Sequence, residues 1–186
     1  KGEANFDILT LKPETKSSMR CDFELLSVNI LTVPQNSLIS KIRYIKNFEL
    51  KGKYDLVQTQ GFIPDFISSI LFRGRNISTL RNYPYDDYSL LYGEFKGKVI
   101  AWFHHTFFRF ISIKLSVSKA LAEKNSAKSK LNFSYVRNGV DLEKYSNSSD
   151  MSHLILDLGL KSDLPTFIFT GPLIGRKNIV QTISSF

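Results

Sequence analysis

Along the chain, short apolar runs of strand length alternate with stretches in which apolar residues recur every three or four positions. That alternation is the pattern of βαβ units and a mostly parallel sheet. The first run, residues 6–11, reads as a strand and is followed by a polar loop holding Pro13, Ser17 and Ser18. A second extended run covers residues 23–33 and stops at Pro34. Ser37 is placed to cap a helix with Leu38, Ile42, Ile45 and Phe48 on one side, ending near Lys51 and Gly52. Residues 54–60 read as a buried strand closed by Gly61. Pro64 then falls in the first turn of a helix whose apolar side holds Phe66, Ile67, Ile70 and Leu71, and Arg73 and Gly74 stop it.

Residues 76–80 are the next short strand. Residues 81–92, rich in Tyr, Asp and Pro, read as a structured loop at that strand's carboxyl end. A long helix is predicted over 95–110, a strand over 111–117, and a helix over 119–127 with Ser118 as its cap. A strand over 133–136 is ended by Asn138 and Gly139, a strong turn signal. The polar stretch 146–150 reads as a linker, followed by a helix over 152–158, a strand over 166–170, and Gly171 opening a further loop and helix. The expected class is α/β: a Rossmann-like parallel sheet flanked by helices over residues 1–146, then the beginning of a second Rossmann-like domain at 147–186. The chain opens directly on a strand and stops inside an apparent helix, so a segment truncated at both ends is expected.

Composition narrows this picture. Of 186 residues, 42% are apolar and 23% charged, which excludes a disordered chain. Fifteen Phe and eight Tyr predict an aromatic core, and the single Cys21 excludes an intrachain disulfide. The formal charge of +8 favours anionic partners. Eight basic residues, Lys96, Lys98, Arg109, Lys114, Lys119, Lys124, Lys128 and Lys130, lie in one stretch against the single acid Glu123. They read as a solvated basic face or as an anion-binding one. The most apolar run, 99–111, is too short to span a bilayer and contains His104, His105 and Arg109.

In open α/β sheets, ligands bind outside the carboxyl ends of the strands, which singles out four loops: 61–64, 81–88, 138–141 and 171–178. The last reads GPLIGRKN. Its glycines allow close backbone approach, and Arg176 and Lys177 near a helix start suit a diphosphate, although no GxxxxGK[ST] pattern is present. Alone, such a basic turn is more often structural than functional, and residues 136–141 read as a plain turn. Asp86 and Asp87 read as solvated carboxylates, with no ligand set for a metal. His104 and His105 read as packed or interfacial, and His153 as a surface residue. Trp102, Phe103, Phe107, Phe108 and Phe110 lie among Lys96, Lys98 and Arg109. A helix of that composition either packs against the sheet or lies at a membrane interface. No signature of a nucleic-acid-binding module is present.

Five segments, in order, resemble glycosyltransferase family 4. YDLVQTQG at 54–61 resembles that family's "DVVHAHG" strand and loop. TLRNYPYDDY at 79–88 resembles its "TLHNYPYEDY" stretch, and VS at 117–118 matches a strand ending before a helix. VRNGVDLEKY at 136–145 is close to "IPNGVDLEKF". FTGPL at 169–173 with RKN at 176–178 resembles "FVGRL…RKN". The resemblance implies a GT-B fold of two Rossmann-like halves with the active site in the cleft between them. It also implies metal-independent, configuration-retaining transfer, with no cofactor, from a nucleotide sugar to a glycan or lipid-linked acceptor in cell-surface polysaccharide synthesis. Donor binding then falls to Gly171, Arg176, Lys177 and Asn178. Gly61, Arg81, Asn82 and Tyr83 border the acceptor side, and Asn138, Gly139 and Asp141 form the interdomain loop. The implied location is cytoplasmic or peripheral on the inner face of the cytoplasmic membrane, with an anionic membrane surface as a further partner and no nucleic acid.

Three departures shape the alternatives. Arg81 stands where the family has a His near the transferred sugar, and Pro172 stands where it has a diphosphate-binding Arg. The paired-Glu region that contacts the donor sugar would lie after Phe186. The expectation is that this chain does not catalyse transfer alone. The alternative reading is a non-catalytic carbohydrate- or lipid-binding module on the same fold; an epimerase of GT-B type is disfavoured by the NGVD match.

Overall fold

All strand pairing among the described residues is parallel, so every connection between neighbouring strands must cross back over the sheet, and helices do this. The structure, a computed structural model, describes residues 4–13, 19–34, 36–47, 50–143, 157–160, 166–171, 173 and 175–185, with the backbone alone for 50, 51 and 176. The predicted polar loop at Ser17 and Ser18, Phe48, the 146–150 linker, His153 and Pro172 lie outside them. The chain divides into two compact units, Lys1–Arg137 and Asn138–Phe186.

In the first unit, β1 (Asp7–Thr10) pairs with β2 (Asn29–Thr32). A four-stranded sheet runs in the order β3 (Val57–Thr59), β4 (Asn76–Leu80), β5 (Ile113–Ser116) and β6 (Ser134–Tyr135). Between the strands lie α1 (Arg20–Leu25), α2 (Leu38–Asn47), α3 (Leu50–Lys53), α4 (Phe62–Leu71), α5 (Pro84–Tyr92), α6 (Glu94–Phe107) and α7 (Lys119–Ser129). The class is therefore α/β, with a parallel sheet flanked by helices. The predicted caps form: Ser37 Oγ accepts from the Ser40 amide at 3.1 Å, and Ser118 Oγ from the Leu121 amide at 3.2 Å.

Two expectations of this unit are corrected. Residues 23–26 belong to helix and turn rather than to a strand: Phe23, Leu25 and Leu26 do not alternate, and Arg20 pairs with Glu24 one turn on at 2.6 Å. The stretch 81–92 is not a loop, because most of it is α5. Pro84 sits in its first turn, where a missing N–H is harmless, and Asp86 and Asp87 face its positive end. The predicted helix over 95–110 forms as α6 followed by a 3₁₀ turn at Phe108–Phe110.

Two apolar clusters hold the sheet. One gathers Val33, Ile45, Ile67 and Phe72, and the other Leu80, Phe108, Ile111, Ala122 and Phe133. α5 packs along α6 at unusually short range. A Cβ at Gly97 would fall inside contact distance of the Tyr88 and Ser89 backbone, so only glycine fits there.

A polar staple fastens the amino end of β4. Asn76, fully buried, donates through Nδ2 to the carbonyls of Ser68 and Phe110, both at 3.1 Å, and accepts through Oδ1 from the amide and hydroxyl of Ser112 at 2.8 and 2.9 Å. One side chain thus joins α4, β4 and the entry to β5.

In the second unit, a 3₁₀ turn at Gly175–Lys177 leads into α8 (Ile179–Ser184). The strand expected over 166–170 is absent: these residues are exposed and pair with no strand among the described residues. A strand exists only with a ladder partner. Nor does the Asn138–Gly139 pair turn the chain, since 136–141 runs as irregular exposed backbone and Gly139 takes no positive φ.

Replacing Asn76 with Ala removes its bonds to the Phe110 carbonyl and the Ser112 amide and leaves the Ser68 carbonyl with the Phe72 amide alone. The expected loss is about 3 kcal/mol of unfolding free energy, read from urea denaturation. A loss under about 1 kcal/mol would show that the staple is dispensable.

Candidate functional site

Parallel strands bring their carboxyl ends to one edge, and loops there are free to face a ligand. Gly61 follows β3 at φ +96°, a conformation that favours glycine, and starts α4. Arg81 and Asn82 follow β4, and Asn82 Nδ2 donates to Asp87 Oδ1 at 3.3 Å. These two loops border a cavity of about 240 Å³ lined by Gln60, Gly61, Thr79, Leu80, Arg81, Asn82, Pro84, Asp87, Tyr88 and His104. Three of the four acceptor-side residues named from sequence thus meet at one cleft.

Tyr83, the fourth, does not line it. It precedes Pro84 in extended conformation, packs on Tyr85 at 5.6 Å between ring centres, and lies under the Lys124 ammonium at 3.9 Å. Lys128 sits over Tyr85 at 4.6 Å, and Lys124 also pairs with Asp86 at 2.7 Å. Seven of the eight residues of the Lys/Arg-rich stretch are exposed, as a solvated face requires, but several also have defined partners. Two of its lysines clamp the start of α5, Lys98 pairs with Glu94 at 2.5 Å, and Lys114 bonds the Ile111 carbonyl at 2.6 Å, its pKa lowered by burial.

Both histidines of α6 are buried and packed, as expected, and each is also hydrogen-bonded. His105 Nε2 donates to Asn125 Oδ1 at 3.1 Å, and Asn125 Nδ2 donates to Ser116 Oγ at 3.3 Å, joining α6, α7 and β5. Its ring stacks on Tyr85. His104 lies beneath the cleft. Its Nε2 is 2.8 Å from Asp65 Oδ2 and its Nδ1 is 2.8 Å from Tyr88 Oη, while Thr59 Oγ1 donates to Asp65 Oδ1 at 2.5 Å. Asp65 and His104 are both fully buried. Among the described residues, no group of three His, Cys, Asp or Glu side chains is placed to hold a metal ion.

Asp87 and Tyr88 fall within the candidate loop 81–88 without being named individually as site residues, and Thr59, Gln60, Asp65 and His104 fall outside the candidate loops. One signal was available: an Asp in the apolar helix FIPDFISSIL and a His in an aromatic run must both find polar partners once buried.

In the second unit, Gly171 takes φ +146°, and the Lys177 Cε lies 3.9 Å from where a Gly171 Cβ would stand. Asn178 is left-handed at φ +51° and donates to Gln181 Oε1. Arg176 lies in the 3₁₀ turn between them. Asn138, Gly139 and Asp141 are exposed at the start of this unit. The chain matches no protein-family model and has no significant match among curated proteins.

Burial lowers the His105 pKa, with the Asn125 bond opposing it and the nearby Lys128 charge adding to the lowering. The folded chain thus binds that proton less readily than the unfolded chain. Stability from this ring is fully present above the ordinary histidine value, about 6.5, and is lost progressively as pH falls from there through the lowered folded-state value. Urea midpoints should fall between neutral pH and about pH 5.5, and His105→Gln, which keeps the bond to Asn125, should flatten that slope. An unchanged slope would remove His105 as its source.

Proposed function

We propose that this chain is the acceptor-side half, with the beginning of the donor-side half, of a retaining glycosyltransferase of family 4 and GT-B architecture. It would transfer a hexosyl group from a nucleotide sugar to a glycan or lipid-linked acceptor in cell-surface polysaccharide synthesis. The observation that carries this reading is the cleft at the carboxyl ends of β3 and β4. The segments that form it are the ones whose sequences, YDLVQTQG and TLRNYPYDDY, resemble that family. An uncharged glycan suits a cavity of this size that offers Gln60, Asn82 and Tyr88 as hydrogen-bonding groups. Gly171 and Lys177, adjacent in the second unit, together with Arg176 and Asn178, are the groups for the donor diphosphate.

A second reading, a non-catalytic carbohydrate-binding module, is favoured by Arg81, which lines the cleft where the family carries His. The two readings separate in a longer form carrying both halves. The enzyme reading expects a nucleotide sugar to bind and its sugar to appear on an acceptor glycan, and Arg81→Ala to lower glycan affinity about tenfold. Binding of glycan with no turnover of any nucleotide sugar, restored by Arg81→His with Pro172→Arg, would select the module.

α6 supports a further partner, an anionic membrane surface. Its inward face is small or polar, made of Gly97, Ala101, His104 and His105, while Phe95, Val99, Trp102 and Phe103 point outward. Phe95 is 81% exposed and Trp102 55%, and Lys96 and Lys98 are exposed beside them. Large rings outward with flanking cations suit a headgroup layer. Among the described residues no helix is long and apolar enough to cross a membrane, so the contact proposed is peripheral. Trp102 is the only tryptophan, and its emission should shift to the blue on vesicles rich in phosphatidylglycerol, and less with Phe95→Ser. Equal shifts on neutral and anionic vesicles would remove the electrostatic part of the proposal.

A further inference from the structure

The hydrogen-bonded line under the cleft has a direction. Asp65 as a carboxylate only accepts, so the proton of the pair with His104 sits on Nε2, and the Thr59 hydroxyl donates to the other oxygen. With the ring neutral, Nδ1 carries a lone pair and the Tyr88 hydroxyl donates to it. Phe62 stands edge-on to both rings, 5.5 Å from His104 and 6.4 Å from Tyr88 between centres, and Phe108 packs on His104 at 5.0 Å. Water therefore has little access behind the phenol. Burial, reinforced by Asp65 and Asp87, pushes the Tyr88 pKa well up, so the phenol keeps its proton.

Asp65 and His104 expose no side-chain surface, although the His104 ring borders the cavity from beneath, whereas Tyr88 is half-buried and lines the cavity at the hydroxyl end of the line. The line thus reaches the cleft through one oxygen whose hydrogen is already committed inward. We propose that the cleft is a sugar-hydroxyl subsite anchored by Tyr88 Oη acting as a hydrogen-bond acceptor, with that polarity set from behind by His104 and Asp65. A hydroxyl that donates to Tyr88 keeps its own lone pairs directed away from the protein, the orientation a nucleophilic acceptor needs. Tyr88 is the contact residue; His104 and Asp65 are positioning residues. The inference rests on reading this cleft as the acceptor side of a sugar-transfer site.

Two variants test it without dismantling the fold. Tyr88→Phe removes only the hydroxyl. Asp65→Asn keeps the shape: its carbonyl still accepts from Thr59, while its amide donates to Nε2, driving the ring proton to Nδ1 and turning the Tyr88 hydroxyl outward as a donor. Titrating the ¹⁵N-labelled chain with maltose should move the amides of Gly61, Arg81 and Asn82, and Tyr88→Phe should weaken that binding about tenfold, the worth of one good hydrogen bond. Ring ¹H–¹⁵N correlations of His104 should show the proton on Nε2 in the parent chain and on Nδ1 in Asp65→Asn. A parent ring protonated on Nδ1, alone or together with Nε2, overturns the inference, because Nδ1 would then donate to the Tyr88 oxygen. So does unchanged maltose affinity in Tyr88→Phe while the cleft amides still move, an outcome that leaves the sugar-site reading intact. If the cleft amides move with no glycan at all, that wider reading fails first and takes the inference with it.

Discussion

A carboxylate taken out of water must be met on every side or it will not stay charged, and Asp65 is the point where this chain meets that demand. Its partners come from the end of β3 and the middle of α6, and its own amide bonds the Gly61 carbonyl at 3.0 Å. Satisfying one buried acid therefore fixes where β3 stops, how α4 begins and which face α6 turns inward. The cleft is the space those three decisions leave. Asn76 performs the same service at the opposite end of β4 without charge, so the sheet is pinned at both ends by polar groups and filled between them by apolar ones.

Much of this architecture could be read from the chain. The strand at Asn76–Leu80 and the helices capped by Ser37 and Ser118 are local events, set by periodicity and one side-chain bond, and they stand where the sequence placed them. α5 was hidden because Asp and Pro are turn-formers by composition, yet the same Pro84, Asp86 and Asp87 are helix-starters by position. The Asn138–Gly139 pair shows the converse: turn chemistry is permissive, and a chain free of a hairpin's demands need not use it.

The cleft divides along the same line. Gly61, Arg81 and Asn82 were legible because loops after parallel strands face one edge. Asp65, Tyr88 and His104 were not, because they lie on three helices far apart in sequence and no spacing rule links them. The periodicity of α6 announced a helix but not its orientation. An apolar content spread around the whole cylinder gives no facing signal, and the outward aromatic stripe emerged only once His104 and His105 were seen to be the inward residues.

The uniformly parallel pairing also bears on how the chain acquires its shape. β4 cannot meet β5 until α5 and α6 have been made, since Ile77 pairs with Ile113 across both helices. Among the described residues no hairpin is available to start the sheet, and such non-local pairing is intrinsically slow. Among the described residues, α5 against α6, closed at Gly97, is a long-element docking that needs no distant partner. Local contacts of that kind cost the least loop-closure entropy, and the outward rings of α6 take no part in them and stay exposed to solvent.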